Sequence, residues 1–426
     1  MRSKTLTLSK RPPLSTREND GRSLEMSMTE NRNTWKRRCQ TFSFLLTLLV
    51  RLSLNFVKNL ASLFQDLKRI WNSRWEKPQL HYKRSKMQES IIKNCKTLTS
   101  ELENWFLPGW IQTLSNLVSH HWYEEAVYHR RLLQVNDGGL VGMDWYLKMS
   151  PKRGPILLVL PGKSHLALSE DIICAQAYEK GFRPVVFRNR GSSGITLTSV
   201  SKFQAMGYTS DLREVVRYLR RMDSKANIVA IGIGSGAGLL LSYLGDYGSS
   251  CHLDAAVCLS PWYSLEKQVG SSHQTFSQWV LLQSLKIELA RHSGVLKSKI
   301  DLDKAFGTSS LIDYIKHVVW PINHCETEHD FYEKNEPLRD IDEMAIPLLC
   351  INSLDDPVVN SEHIPFDLFE TLPNVMLAAT RRGGHGAFLK GWNAENWGVK
   401  LAVDYCETIL NIVAGSNLSG LGSFTE

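Results

Sequence analysis

Apolar residues form short runs along most of the chain, and amphipathic stretches separate these runs. Pro155–Leu160 and Ala255–Leu259 are mainly aliphatic and β-branched, which is typical of strands buried on both faces. Thr209–Met222 has the helical period, and Thr209 or Ser210 could cap it. The other predicted strands are Tyr128–Val135, Leu140–Leu147, Pro184–Phe187, Ile346–Ile351 and Val375–Ala379, and the other predicted helices are Ser169–Lys180, Phe366–Thr371 and Asn396–Val413. This alternation predicts an α/β fold with a mostly parallel central sheet flanked by helices.

Three stretches outside this alternation complete the predicted organisation. Residues 261–345 form a long, mostly helical insertion between two strands, and its position predicts a lid over a pocket. Residues 72–100 read as a polar, basic connection, so we place the folded body at 101–414 and a flexible tail at 415–426. The turn Asn136–Gly139 predicts a hairpin between its flanking strands.

The amino-terminal part of the chain is strongly basic. The first 94 residues hold 20 Lys and Arg against 7 Asp and Glu, whereas the remainder holds 30 against 36. Residues 1–41 predict a disordered basic arm, and residues 42–71 combine a short apolar run with a helical stripe that includes Phe56 and Leu60. This pattern predicts a membrane-associating helix, spanning or surface-lying, that anchors the chain in the endomembrane system or secretory pathway with the body in the cytoplasm. A helix packed on the folded body and a cleaved signal peptide are the alternative interpretations.

Other classes of partner and cofactor find little support in the composition. The body has no motif for DNA or RNA, so we expect no nucleic-acid partner. The eight cysteines are scattered without zinc spacing, and we interpret them as small core residues rather than disulfides or metal ligands. Gly232–Ala237 fits the dinucleotide pattern G-x-G-x-x-A, but no acidic residue follows the next strand to hold a ribose. We therefore expect no cofactor.

One glycine-rich turn is the strongest candidate for chemistry. The run from Asn227 is a strand, a turn of alternating glycines and then a buried helix, which is the context of the nucleophile elbow G-x-S-x-G. Gly232 and Gly236 occupy the two flanking positions, where strand and helix backbones almost touch. The position between them is Gly234, which has no side chain, and Ser235 stands one place later. The nucleophile is therefore either missing or displaced to Ser235.

The other groups of a serine hydrolase occur in the order that this chemistry requires. Asp355 and Asp356 follow a predicted strand, and His385 lies in a glycine loop after the last one. We favour Asp356 as the carboxylate that orients His385, with Asp355 as the alternative. The backbone amides of Lys163 and Ser235 are the candidate oxyanion donors, because they lie on the first strand-to-helix loop and directly after the elbow.

Taken together, these residues resemble the AB hydrolase 4 family of α/β-hydrolases over roughly residues 101–413. The motifs that carry the resemblance are Trp110–Thr113, Gly142–Trp145, Asn189–Gly191, Gly234–Gly236, Asn352–Asp356 and Gly383–His385. The resemblance implies the α/β-hydrolase fold with a helical lid, ester or acyl-lipid hydrolysis at membranes, and Asp356 and His385 as the charge-relay pair. It places the nucleophile slot at Gly234, and the His-Gly oxyanion pair of the family becomes Pro161–Gly162 in this chain.

Two hypotheses follow from this pattern. The first is a membrane-associated pseudo-hydrolase of lipid metabolism that binds an acyl lipid or ester ligand, or a regulatory protein partner. The second is an active carboxylesterase or acyl-lipid hydrolase that uses Ser235 with Asp356 and His385. The position of the Ser235 hydroxyl relative to His385 distinguishes them.

Overall fold

The structure is a computed structural model that describes residues 75–103, 107–119, 126–147, 153–163, 168–198, 208–269, 275–323, 325–391 and 393–418. Chain contacts divide the protein into two units, 1–72 and 73–426, and the described residues all belong to the second. The predicted basic arm at 1–41 and the predicted membrane helix at 42–71 lie outside the described residues. Within the described part, no helix is both long enough and apolar enough to cross a membrane.

A nine-stranded mixed sheet runs through the described body. Its order is β2-β11-β10-β9-β8-β6-β7-β5-β4, with a parallel core from β7 to β11 and antiparallel pairing at both edges. The sheet strands are β2 Gln79–His81, β4 Tyr128–Gln134, β5 Leu140–Tyr146, β6 Ile156–Leu160, β7 Arg183–Arg188, β8 Ile228–Ile233, β9 Ala255–Leu259, β10 Leu348–Ser353 and β11 Val375–Thr380. Two small ribbons pair β1 Trp75–Glu76 with β3 Leu102–Glu103, and β12 Leu389–Lys390 with β13 Glu395–Asn396.

Helices cover both faces of the sheet. They are α1 Lys86–Asn94, α2 Lys96–Thr99, α3 Gly109–Ser119, α4 Glu170–Glu179, α5 Ser210–Met222, α6 Ser235–Tyr247, α7 Leu265–Val269, α8 Phe276–Leu296, α9 Leu302–Gly307, α10 Leu311–Tyr314, α11 Trp320–Asn323, α12 Glu328–Asn335, α13 Phe366–Thr371 and α14 Trp397–Leu418. Alternate residues of β8 point to opposite faces: Val229 and Ile231 pack with α4 and α14, and Ile228 and Ala230 pack with α5 and α6. This double burial explains why the central strands are continuous apolar runs.

The chain reverses direction across the sheet between β6 and β8. From β6 the chain passes to β7 on one side, and it then returns to β8 on the other side. The carboxyl ends of two strands that diverge in this way leave a crevice, which is where open α/β sheets bind ligands. The elbow follows β8 and the candidate oxyanion loop follows β6, so the topology brings both to this crevice.

The predicted strands, helices and hairpin of the body are confirmed to within a few residues, and the fold is that of the α/β-hydrolases. The interpretation of 72–100 as a connection is wrong, because residues 75–99 contain strands and two helices. Leu80 of β2 pairs with Ala378 at the sheet edge, and Ile91, Cys95 and Leu98 are buried in the core. Short elements with few apolar residues leave only a weak periodic signal, which explains the error.

Smaller differences concern two helix ends. Thr209 does not cap α5 through its side chain, since its hydroxyl donates to Asp246 at 2.6 Å. The last helix continues to Leu418, so the first four residues of the predicted flexible tail are helical. A glycine such as Gly415 costs a helix only about 1 kcal/mol, which the helix tolerates here.

The insertion at 261–345 consists mainly of helices, from α7 to α12, and it has an apolar core of its own. Leu281, Leu285 and Tyr314 are among the buried residues of that core. A π-helical turn at Ile315–Val319 joins α10 to α11. Residues of this insertion, including Trp262 and Leu281, line a pocket beside Gly234.

Candidate active site

The elbow between β8 and α6 is built on close backbone contact. A Cβ at Gly236 would lie 2.3 Å from the Leu160 carbonyl oxygen and 2.6 Å from that of Pro161. A Cβ at Gly232 would lie 2.6 Å from the Cα of Ala237. No side chain fits at such distances, so both positions require glycine, as the sequence predicts.

Gly234 occupies the apex of the elbow. Its φ is +51° and its ψ is −114°, a conformation that is strained for any residue with a side chain. A Cβ at this position would lie 3.0 Å from Nε2 of His385. The apex therefore faces the histidine as a nucleophile would, but it carries no attacking atom.

The hydroxyl of Ser235 does not join His385 and Asp356 in a catalytic triad. Its Oγ accepts a hydrogen bond from the Lys163 backbone N–H at 2.9 Å. Within the described residues the structure has no hydrogen bond between this hydroxyl and His385. The Ser235 Oγ thus occupies the Lys163 N–H, which is one of the two predicted oxyanion donors. The other predicted donor, the Ser235 N–H, lies in the first turn of α6, where backbone amides have no intrahelical acceptor.

The predicted relay pair is in contact. Nδ1 of His385 lies 2.9 Å from Oδ2 of Asp356, and both side chains are buried. The other carboxylate oxygen of Asp356 accepts the backbone N–H groups of Val358 and Val359 at 2.7 and 3.0 Å. These bonds fix the carboxylate, which in turn fixes the orientation of the imidazole.

The alternative acid, Asp355, has a different position. Its Oδ1 accepts the backbone N–H groups of Gly383 and Gly384 and the hydroxyl of Ser353. Asp355 therefore anchors the glycine loop that precedes His385 rather than the imidazole itself.

Helix α3 holds the same loop from the other side. The Thr113 hydroxyl accepts the His385 N–H at 2.8 Å and donates to the Gly109 carbonyl. The Asn116 amide donates to the His385 carbonyl at 3.0 Å, and the Gln112 Oε1 accepts the N–H of Leu389. The backbone of His385 is therefore paired at both its N–H and its carbonyl.

Ser260 completes this support, and sequence reasoning assigned it no role. Its buried hydroxyl accepts the Gly386 N–H at 3.0 Å, and its φ is +46°. Gln112 and Thr113 were recognised only as part of the motif Trp110–Thr113, and Asn116 was assigned no role. Their signal was the spacing of three polar residues at i, i+1 and i+4, which a helix places on one face.

A narrow pocket opens beside the elbow, and we call it the apolar chamber; it encloses about 410 Å³, including space open to solvent. It contacts Gly162, Lys163, Gly234, Ser235, Trp262, Gln268, Ser277, Gln278, Leu281, Leu311, Val358 and His385. The indole N–H of Trp262 is buried and has no hydrogen-bond partner among the described residues. No group of three or more His, Cys, Asp or Glu in the described part could hold a metal ion.

This arrangement can bind a ligand and polarise a group close to His385, but it has no nucleophile at the elbow apex, Gly234. The imidazole is oriented as a general base would be, and most of the surface of the chamber beside it is apolar. Six of the seven cysteines in the described part are buried, as expected of core residues, and none lines this chamber.

Comparison with curated proteins gives several relatives, whereas no family model matches the chain. Human protein ABHD15 is 32% identical over 319 residues, which cover 72% of this chain and 68% of that protein. Human phospholipase ABHD3 is 29% identical over 62% of this chain and 67% of its own length. Mouse monoacylglycerol lipase ABHD2 is 24% identical over 78% and 85%.

Among solved structures, the chain is similar to 2,6-dihydroxy-pseudo-oxynicotine hydrolase, with a TM-score of 0.44 and 15% identity over 71% of this chain and 73% of that one. The extent of the match to ABHD15 decides the assignment, together with the hydrolase sheet order and the elbow. The chain belongs to the AB hydrolase family, in which its relatives include proteins named as a phospholipase and a monoacylglycerol lipase.

Proposed function

We propose that this protein is a pseudo-hydrolase of lipid metabolism that binds an acyl lipid in the apolar chamber without hydrolysing it. The observation that carries the proposal is Gly234 at the apex of an otherwise intact elbow, facing His385. Loss of a triad nucleophile lowers kcat by roughly six orders of magnitude, which leaves binding as the function that survives.

The residues that hold His385 in place are consistent with a binding function. Asp356, Thr113 and Asn116 keep His385 in place, and a buried histidine is a hydrogen-bond partner for a ligand as well as a base. Relatives named as lipases and phospholipases act on acyl lipids, which supports an acyl ligand in this chain.

Labelling with a fluorophosphonate probe tests the absence of a nucleophile. We expect the wild-type chain to remain unlabelled, like the Ser235→Ala variant, while a known serine esterase in the same tube reacts. Robust labelling that disappears in both Ser235→Ala and His385→Ala would contradict the proposal and establish the alternative, an ester hydrolase that uses Ser235.

Membrane association is a separate part of the proposal, and it is motivated by the helical stripe and basic character of the amino-terminal residues. We expect the full chain to float with vesicles that contain phosphatidylserine. Phe56→Glu and Leu60→Glu change the apolar stripe and should reduce flotation, whereas Gln65→Glu lies off the stripe and should not. Equal flotation of all four proteins would contradict a role of this helix.

A further inference from the structure

One ring nitrogen of His385 has no hydrogen-bond partner among the described residues. Nδ1 faces Asp356, whereas Nε2 lies 3.0 Å from the position that a Cβ of Gly234 would occupy. The His385 side chain is only 3% exposed, and the residue lines the apolar chamber. Because so buried a side chain has little access to water, Nε2 is a point at which a bound ligand would supply the missing hydrogen bond.

The surroundings of Asp356 determine which nitrogen of His385 carries the hydrogen. Oδ1 of Asp356 accepts the N–H groups of Val358 and Val359, and Oδ2 lies 2.9 Å from Nδ1 of His385. A carboxylate can only accept, so Nδ1 carries a hydrogen and donates it to Oδ2. In the neutral imidazole the other nitrogen, Nε2, then has a lone pair and no hydrogen. A ligand at this point must therefore bring a hydrogen-bond donor.

Gly234 gives such a donor room. Apart from its chain neighbours, the described residues place only atoms of His385 within 4 Å of the position that a Cβ would take. An oxygen atom at the same position would lie 3.0 Å from Nε2, which is within hydrogen-bond distance. In a serine hydrolase the seryl hydroxyl approaches this nitrogen, so a hydroxyl group of a ligand can take its place here.

The same point is unfavourable for a carbonyl oxygen. Carbonyl, ether and carboxylate oxygens accept hydrogen bonds and donate none, so beside Nε2 two lone pairs would face each other. The Lys163 N–H, one of the two predicted oxyanion donors, is already bonded to the Ser235 Oγ. An ester or a fatty-acid carboxylate would thus gain less at this point than an alcohol.

The remaining walls of the apolar chamber suit a hydrocarbon chain. Trp262, Leu281, Leu311 and Val358 line it, and most of its surface is apolar. Contact with these side chains removes alkyl surface from water, which favours binding. Because the chamber is narrow, an unbranched chain fits it better than a bulky ring system.

We propose that the lipid bound in the apolar chamber presents a free hydroxyl group to Nε2 of His385, where a hydrolase has its seryl hydroxyl. The inference rests on the proposed lipid-binding function and specifies its ligand class, which is a lipid with a free hydroxyl and an unbranched chain. The hydroxyl donates its hydrogen to Nε2, and no covalent bond forms or breaks.

The experiment compares three probes by isothermal titration calorimetry with the full chain. The probes are 1-octanol, its methyl ether 1-methoxyoctane, and methyl octanoate, so that only the first has a hydrogen-bond donor. Titration at about pH 8.5 favours the neutral imidazole. We expect 1-octanol to bind at least about fivefold more tightly than either of the others, because only this probe satisfies Nε2.

Asp356→Asn changes the position of the hydrogen and keeps the shape of the pair. The amide oxygen can accept from Val358 and Val359 as the carboxylate does, and the amide NH₂ then faces Nδ1 of His385. Nδ1 becomes an acceptor, so the hydrogen moves to Nε2, which can now donate to an ester or an ether. The preference for 1-octanol should fall to within about twofold of methyl octanoate.

Gly234→Ala places a methyl group at the position of the ligand hydroxyl, and it should also remove the preference for 1-octanol. Asp223→Asn is the matched control, because Asp223 pairs with Arg183 and does not line the apolar chamber. It should retain the preference of the wild type. Circular dichroism checks that each variant is folded, and Asp356→Asn remains informative if Gly234→Ala is not.

The possible outcomes separate this inference from the proposed function. Equal affinity of the wild type for the three probes, or tighter binding of methyl octanoate, would overturn the inference and leave lipid binding intact. A preference for 1-octanol that survives in folded Asp356→Asn would also overturn it, since the hydroxyl would then not depend on Nε2. Failure of both 1-octanol and methyl octanoate to bind would contradict the proposed function itself.

Discussion

The Ser235 hydroxyl and the Lys163 backbone amide form a hydrogen bond of 2.9 Å at the point where an oxyanion would otherwise be held. This bond means that the Ser235 hydroxyl, next to the elbow apex, fills a donor site rather than facing His385. A hydrolase requires the reverse arrangement, with the hydroxyl on the histidine and the amide open to substrate. The site therefore lacks a nucleophilic side chain at Gly234, and the Lys163 N–H, one of its two oxyanion donors, is already occupied.

Restoring the missing side chain should create a reactive serine. Gly234→Ser places a hydroxymethyl group against Nε2 of His385, whose ring must retreat by a few tenths of an ångström from the 3.0 Å contact. Backbone strain at φ +51° should lower the free energy of unfolding by about 1–3 kcal/mol. We expect this variant to react with a fluorophosphonate probe, as detected by in-gel fluorescence.

Gly234→Ala is the control for that gain, since it carries the same strain without a hydroxyl and should remain unlabelled. Adding His385→Ala to the serine variant removes the general base and should slow labelling by at least ~100-fold. A folded Gly234→Ser protein that never reacts would show that the apex does not face the histidine productively.

The hydrogen bond from the Lys163 N–H to the Ser235 hydroxyl gives a second prediction, which is tested in the Gly234→Ser variant. Ser235→Ala frees the Lys163 N–H, so Gly234→Ser/Ser235→Ala should label faster than Gly234→Ser alone. One oxyanion donor is worth a factor of roughly 100–1,000 in rate, which sets the upper limit of the gain. Second-order rate constants from time courses provide the measurement, and a slower double variant would mean that Ser235 assists the reaction.

The elbow and the relay pair were accessible to sequence reasoning because each depends on local pattern. Glycines two residues either side of an apex fix the elbow, and the order of Asp356 and His385 at strand ends fixes the pair. The direction of the Ser235 hydroxyl was not accessible, since it depends on where the loop from another strand places the Lys163 amide. The hydrogen bond from the His385 N–H to the Thr113 hydroxyl was missed for the same reason, because the two residues are 272 positions apart in the chain.

The hydrogen bond between the Thr113 hydroxyl and the His385 N–H should contribute to stability. Thr113→Val keeps the shape of the side chain but leaves the buried His385 N–H without its acceptor. We expect the free energy of unfolding to fall by about 1–3 kcal/mol, measured by urea denaturation. Ser115→Ala, two residues along the same helix, removes a hydroxyl that bonds only locally to the Gln112 carbonyl and should have a smaller effect. Equal losses would show that the loop does not depend on Thr113.

The glycine requirement at the elbow can be tested within one helix. Gly236→Ala forces a methyl group to within 2.3 Å of the Leu160 carbonyl oxygen, so it should destabilise the fold by about 2–3 kcal/mol. Gly238→Ala places its methyl group no closer than 3.6 Å to any neighbour, and it should raise stability by up to ~1 kcal/mol through helix propensity. Urea denaturation of the two variants measures the contrast. Similar stabilities would mean that helix α6 can move away from the end of strand β6 without penalty.

The buried carboxylate of Asp144 should make stability depend on pH. Burial by itself would raise its pKa, but hydrogen bonds from Arg130 and Arg188 outweigh burial and hold the pKa below its ordinary value. A carboxylate with a depressed folded-state pKa stabilises the fold above the pKa of the unfolded chain, and the contribution disappears as pH falls through the folded value. Asp144→Asn should therefore cost about 3 kcal/mol at neutral pH, and the deficit should begin to shrink only below about pH 4 and close as pH falls through the depressed pKa of the folded state.

Urea unfolding of wild type and variant at several values between about pH 7 and about pH 2 measures this difference. Asp223→Asn is the control, because Asp223 also pairs with an arginine, Arg183, but its pair lies at the surface and should matter much less at every pH. A deficit for Asp144→Asn that stays constant down to the lowest pH would show that Asp144 acts through shape and neutral hydrogen bonds. A deficit that closes with acid would show instead that the charge of Asp144 joins β4, β5 and β7 at the edge of the sheet.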